Sequence, residues 1–208
     1  LKNLFDGVRD FSEKEFDSYR ALFHDLAVKQ DPHTLYIGCS DSRVVPDLIT
    51  KSMPGDLFVV RNIANIVPHF RESGEYLATT SAIEYALIVL NVENIVVCGH
   101  SNCGGCKALF ASESELEKIP FTRHWLELAA PVKERALEIM RRSHHAGDLE
   151  WIVEQENVVV QMNHLLTYPF IKERFSRGTL SIYGWYYEIG SGKVFNYNKE
   201  KRLFELIT

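Results

Sequence analysis

The chain has 208 residues, 46% of them hydrophobic and 25% charged, with a formal net charge of −5. This is the composition of an ordinary globular chain with a sizeable core, and an acidic balance without a basic run excludes nucleic acid or an anionic membrane surface as the expected partner. The most apolar helical stretch, Ala82 to Leu90, is interrupted by Glu84 and too short to span a bilayer, so no membrane role is expected.

Leu1 to Asp10 lacks the basic flank and apolar core of a secretory signal, so the expected location is cytoplasmic. Ser12-x-x-Glu15 reads as a capping box, and Phe16, Tyr19, Leu22, Phe23 and Leu26 follow at helical spacing. These residues predict a helical arm over about 12–29. Asp31-Pro32 breaks it, and Thr34-Leu35-Tyr36-Ile37 predicts a first strand that ends in Gly38-Cys39-Ser40-Asp41-Ser42-Arg43. Pro46 suits the first position of a short helix to Lys51.

After the turn Met53-Pro54-Gly55-Asp56, the unbroken apolar run Leu57 to Val60 suits a strand covered on both faces. An irregular stretch, 61–74, leads to a helix over about 75–90 with Asn91 as its stop. Asn94 to Cys98 then returns as a third strand, completing a strand, crossover helix, strand unit. Gly99-His100-Ser101-Asn102-Cys103-Gly104-Gly105 turns from that strand into a helix.

Further helical spacing places Trp125, Leu128, Ala129 and Val132 in one segment and Ile152, Val153, Val159, Val160 and Asn163 in another. His144-His145-Ala146-Gly147 reads as a helix ending. Leu180 to Ile189 reads as a strand that Gly190-Ser191-Gly192 turns towards Val194 to Tyr197 as a hairpin. The pattern predicts an α/β fold with a mostly parallel central sheet flanked by helices, one domain over 1–208 including the N-terminal arm.

Strand ends of a parallel sheet meet along one edge, so Cys39 can lie beside His100 and Cys103 despite their separation in the chain. Two thiolates and an imidazole are suited to Zn²⁺, and three protein ligands with one open position are the mark of a catalytic site. The metal site is therefore expected at the carboxyl ends of strands. Asp41 is the conditional fourth ligand, although Arg43 two residues on can pair with its carboxylate and hold it off the metal. Cys98 and Cys106 read as packing thiols, and a chain of this size needs no disulfide.

Cys-x-Asp-x-Arg after one strand and His-x-x-Cys after another resemble the β-class carbonic anhydrases. The segments 56–65, 81–86 and Gly184-Trp185 resemble that family's too, in the same order. The resemblance implies one Zn²⁺ per subunit on Cys39, His100 and Cys103, with Asp41 and Arg43 as catalytic dyad. It implies reversible hydration of CO₂ to bicarbonate and a proton through a zinc-bound hydroxide, and because two thiolates donate more negative charge than imidazoles would, activity is expected to rise towards alkaline pH.

Gln30, Phe58 and Tyr85 stand where plant-type members line the substrate pocket, and Gly104 lets backbone approach metal and substrate. Because those pockets draw on two subunits, a homodimer or homotetramer is implied. Bicarbonate-inhibited members carry tryptophan where Tyr36 stands, with Arg61 and Tyr187 matching its partners and Gly38 leaning to that subtype, whereas Val45-Pro46 leans to the plant-like one. The alternatives are a carbon disulfide or carbonyl sulfide hydrolase on the same fold, a serine hydrolase using Ser101 at an elbow-like turn, and a zinc-stabilised binding module.

Overall fold

The computed structural model describes residues 1–72, 75–143 and 149–208. They form two compact units, Leu1–Asp31 and Pro32–Thr208. The first is helical throughout, with Lys2–Asp10 and Phe16–Leu26 joined by a wider turn at Phe11–Glu15. The expected capping box is not made. Ser12 lies inside the helix and donates its hydroxyl to the Arg9 carbonyl, because Leu4, Phe5 and Val8 extend the apolar spacing upstream of it. A capping box does form at Ser112 and Glu115, where a short helix begins at Glu113.

In the second unit the β-branched and aromatic runs become β1 (Thr34–Cys39), β2 (Leu57–Asn62) and β3 (Asn94–His100), followed by β4 (Ser181–Glu188), β5 (Lys193–Asn198) and β6 (Leu203–Leu206). Among the described residues the sheet order is β2-β1-β3-β4-β5-β6. The first four strands pair in parallel, and β5 and β6 continue antiparallel. The sheet is thus mostly parallel, as expected. β6 was not anticipated, since four residues after a charged turn leave little alternation to read.

Leu35, Ile37, Ile95 and Val97 are fully buried on the face that the helix Leu149–Leu165 covers, and each such side chain contributes about 1.5–3 kcal/mol by leaving water. The helix can lie so close because two strand positions beneath it are glycines. A Cβ on Gly99 would meet Val158 Cγ2 at 2.6 Å, and one on Gly184 would meet Val158 Cγ1 at 2.9 Å.

The same helix carries a polar stripe that apolar periodicity does not reveal. Asn157 Nδ2 donates to the Ala64 carbonyl (2.8 Å), Gln161 Oε1 accepts from Val67 N (2.9 Å), and His164 Nδ1 donates to the Val67 carbonyl (2.7 Å). These bonds satisfy the backbone of the irregular segment after β2, where Ala64 and Asn65 take left-handed conformations at φ 61° and 46°.

The crossover helix runs over Leu77–Glu84 and finishes in a wider turn, Tyr85–Val89. Asn91 stops it in a left-handed conformation (φ 53°), as its sequence position suggested. The later helical spacing falls in Pro120–Leu126, the tighter turn Glu127–Ala129, Ala130–Ser143 and Leu149–Leu165. The expected helix ending at His144-His145-Ala146-Gly147 lies outside the described residues.

Candidate metal centre

Cys39 closes β1 and His100 closes β3, and the two strands are hydrogen-bonded neighbours with Gly38 level with Cys98. That register brings the thiol and the imidazole to one corner of the sheet edge. Cys103 is added by the turn Ser101-Asn102, where Asn102 adopts φ 55°, and stands as the N-cap of the helix Gly104–Ala108. All three residues are buried, and their donor atoms lie within 4.8 Å of one another.

The residues fit a zinc ion. The two sulfurs are 4.0 Å apart, and two sulfurs on a tetrahedral zinc at about 2.3 Å would stand about 3.8 Å apart. His100 Nδ1 donates to the Ser101 carbonyl at 2.9 Å, which leaves Nε2 buried with no hydrogen-bond partner among the described residues. A buried nitrogen with nothing to bond is costly unless a cation takes it, and the Nδ1 bond fixes the tautomer that presents it. Without a cation, the neighbouring Cys103 thiol and burial push Cys39 up to about 12. Cys106 beside it, with burial, pushes Cys103 to about 12 as well.

Asp41 and Arg43 flank the donors. Arg43 Nε donates to Asp41 Oδ1 (2.9 Å), Nη2 donates to Oδ2 (2.8 Å), and the Arg43 backbone N–H also reaches Oδ1 (3.0 Å). The Arg43 guanidinium holds the Asp41 carboxyl well below the usual carboxylate range. Arg43 Nη2 also donates to the Asn102 carbonyl at 3.0 Å, tying the dyad to the turn that carries Cys103. Asp41 is turned to Arg43, with Oδ2 3.9 Å from His100 Nε2, and stands outside the three-donor cluster.

Two supporting residues carried no such assignment in the sequence. Arg61 on β2 donates to the carbonyls of Cys39 (3.1 Å) and Asp41 (2.6 Å), so this candidate regulatory residue holds the loop after β1. Glu154 on the long helix accepts the Cys103 backbone N–H. Only its place in a polar stripe with Asn157, Gln161 and His164 at three- and four-residue spacing could have singled it out. Tyr36 lies edge-on to Trp185 and over Gly38, where a Cβ would meet Tyr36 Cε1 at 2.8 Å.

Ser101 has no nucleophile's setting. Its Oγ accepts the Ile189 N–H (3.0 Å) and its N–H bonds the Tyr187 carbonyl (3.0 Å), while the imidazole next to it bonds its carbonyl rather than its hydroxyl. Cys98 and Cys106 are buried free thiols, as read. Phe58 and Tyr85 stack on each other at 6.0 Å, with Tyr85 43% exposed. Gln30 belongs to the N-terminal unit and is exposed. Gly104 opens with Cys103, Cys106 and Glu154 onto a cavity of about 570 Å³. A slightly larger one, about 620 Å³, is lined by His33, Thr34, Tyr36 and Trp185 and contains none of the metal donors.

Comparison with known proteins follows the same lines. The family model described as carbonic anhydrase matches residues 34–194. A carbonic anhydrase of Helicobacter pylori (strain J99) is 40% identical over 205 residues, covering 98% of this chain and 93% of that protein. The solved β-carbonic anhydrase CcaA superposes with a TM-score of 0.92 at 40% identity, covering 99% of this chain and 98% of the other. A tetrameric β-carbonic anhydrase of Sordaria macrospora superposes with a TM-score of 0.72 at 32% identity, covering 94% and 92%.

Proposed function

Because this chain belongs to the β-carbonic anhydrase family and is by that membership a carbonic anhydrase, a lyase, we propose that it hydrates CO₂ reversibly to bicarbonate and a proton with one zinc per subunit. The observation that carries this reading is the buried Cys39, His100 and Cys103 cluster, with His100 Nε2, unpartnered among the described residues, as one of its donors. A Zn²⁺ held there supplies Lewis acidity that lowers the pKa of water from 15.7 to about 7.

Arg43 keeps Asp41 ionised and fixes its plane. Asp41 Oδ2 is then the acceptor that takes the O–H of the nucleophile and turns its lone pair towards the substrate carbon. Arg43, bridging to Asn102, keeps that acceptor in register with the turn bearing Cys103. Two thiolates make the centre a weaker Lewis acid than three imidazoles would, so activity rises towards alkaline pH.

Phe58 and Tyr85 form one wall of the substrate pocket and Gly104 leaves room for substrate. Tyr85 is 43% exposed on the same helical segment as exposed Leu77, Ile88 and Val89, which supports a homodimer or homotetramer in which a second copy covers these residues. Among the described residues no helix is long and apolar enough to cross a membrane. Four free cysteines fit a reducing, cytoplasmic compartment.

Stopped-flow CO₂ hydration with metal analysis on the same sample tests the reading. The expected result is about one zinc per chain, with activity lost to a chelator and restored by zinc. Zinc-free protein of undiminished activity, or zinc-loaded protein without CO₂ hydration, overturns it.

A further inference from the structure

We propose that Glu154 is a positioning residue of the metal centre, its carboxylate fixing the main chain at Cys103 and through it the direction of the third metal donor. The proposal rests on the zinc reading and deepens it. Cys39 and His100 end strands and are held by the ladder of the sheet. Cys103 has no such support, because it follows a left-handed residue on a two-residue turn, so contacts made by the turn must set where its thiol points.

Besides the Arg43 bond to the Asn102 carbonyl, two further sets of bonds do so. On one side Ser101 is tied to the Tyr187 carbonyl and the Ile189 N–H at the end of β4. On the other, Glu154 Oε1 accepts the buried Cys103 N–H at 2.9 Å, and Glu154 Oε2 accepts the Tyr186 hydroxyl at 2.9 Å. Glu154 is only 4% exposed, so both oxygens need donors, and among the described residues these are the two they have. Its platform is rigid. The same helix is fastened to the segment after β2 by Asn157, Gln161 and His164, and Gly99 lets it close on β3 until the Glu154 carbonyl oxygen lies 3.4 Å from where a Cβ would be.

Removing the carboxyl leaves a buried amide N–H without an acceptor next to a metal donor. Glutamine keeps one acceptor oxygen for it. The test is the zinc dissociation constant of the full chain, measured by competition with a chromophoric chelator beside the melting temperature. Glu154→Ala is expected to weaken zinc by about 10–100-fold, and Glu154→Gln to stay within about threefold of wild type. Tyr168→Phe removes a buried bond to the Pro68 carbonyl farther along, and is expected to lower the melting temperature with zinc affinity unchanged.

A folded Glu154→Ala with wild-type zinc affinity overturns the proposal, as does a loss of affinity that Tyr168→Phe reproduces. Should Glu154→Ala not fold, Tyr186→Phe carries the test. It frees Glu154 Oε2 alone and is expected to weaken zinc measurably, and unchanged affinity there overturns the proposal. Wild-type protein that binds no zinc would instead remove the underlying function.

Discussion

Arg43 grips Asp41 by both carboxylate oxygens, at 2.9 and 2.8 Å, while the second of those oxygens stands 3.9 Å from His100 Nε2. The carboxylate is therefore aimed by one neighbour and kept just off the candidate metal donors. Asp41→Asn removes the charge with little change of shape, and is expected to lower kcat by about 10²–10³-fold with zinc content unchanged. Arg43→Lys replaces a planar fork by a point charge and is expected to lower kcat by about tenfold or more. Stopped-flow hydration with zinc analysis on each variant checks both, and wild-type kcat in Asp41→Asn would remove Asp41 from the chemistry. Since Arg43 holds the Asp41 pKa down, this pair persists from alkaline pH until well below the usual carboxylate range. Loss of activity in mildly acidic solution must then come from another group.

Gly104 and Gly105 are adjacent, yet only one is packed. A Cβ on Gly105 would meet Ala64 Cβ at 2.8 Å and Ile63 Cγ2 at 2.9 Å, whereas one on Gly104 would meet nothing within 4 Å among the described residues. Gly105→Ala is expected to cost about 1–3 kcal/mol through overpacking against that turn. Gly104→Ala is expected to leave the melting temperature unchanged or slightly higher, since alanine is the better helix former, and to raise KM if substrate passes over it. Equal melting temperatures for the two variants would show that the turn at Ile63–Asn65 yields freely.

The candidate metal cluster was legible because its residues are concentrated at strand ends. Short β-branched runs announce β1 and β3, and Cys39, Asp41, Arg43, His100 and Cys103 sit within a few residues of where those runs stop. Glu154 was not legible for the opposite reason. In a helix whose apolar residues fill most positions, a glutamate reads as the solvent side, and nothing local says that Cys103 and Tyr186 meet it. Ser12 misled because Ser-x-x-Glu is also a common sequence inside helices, and only the upstream Leu4, Phe5 and Val8 distinguish the two. The antiparallel extension through β6 was missed because it is short and depends on its pairing with β5.

His164 gives the fold a pH dependence of its own. It is buried with Nδ1 on the Val67 carbonyl and its ring 3.8 Å from that of His69, and desolvation, aided by His69, holds it at about 4. The unfolded chain takes up this proton near pH 6.5, the folded protein only near 4, so the unfolded state binds more protons between those values. The stabilisation is complete above pH 6.5 and fades as pH falls towards 4. From pH 7 to 5 it amounts to about 2 kcal/mol, or about 4–8 °C of melting temperature. His164→Asn keeps a donor for Val67 and does not titrate, so its melting temperature is expected to fall less over that interval. Parallel curves for the two proteins would assign the acid sensitivity elsewhere.

Zinc binding itself should be steeply coupled to protons. Cys39 and Cys103 are each pushed to about 12 by neighbouring thiols and burial when no cation is present. Both must lose a proton to become ligands, so each zinc bound near neutral pH releases about two protons. The apparent dissociation constant is then expected to fall by about 100-fold for each pH unit between 7 and 8, a slope that chelator competition at fixed ionic strength measures directly. Cys103→Ser removes one of the two thiols and should halve the slope as well as weaken binding. A pH-independent dissociation constant in the wild-type protein would mean that the thiols enter the centre already ionised. The cluster would then be electropositive before metal arrives, a state that its two adjacent buried sulfurs oppose.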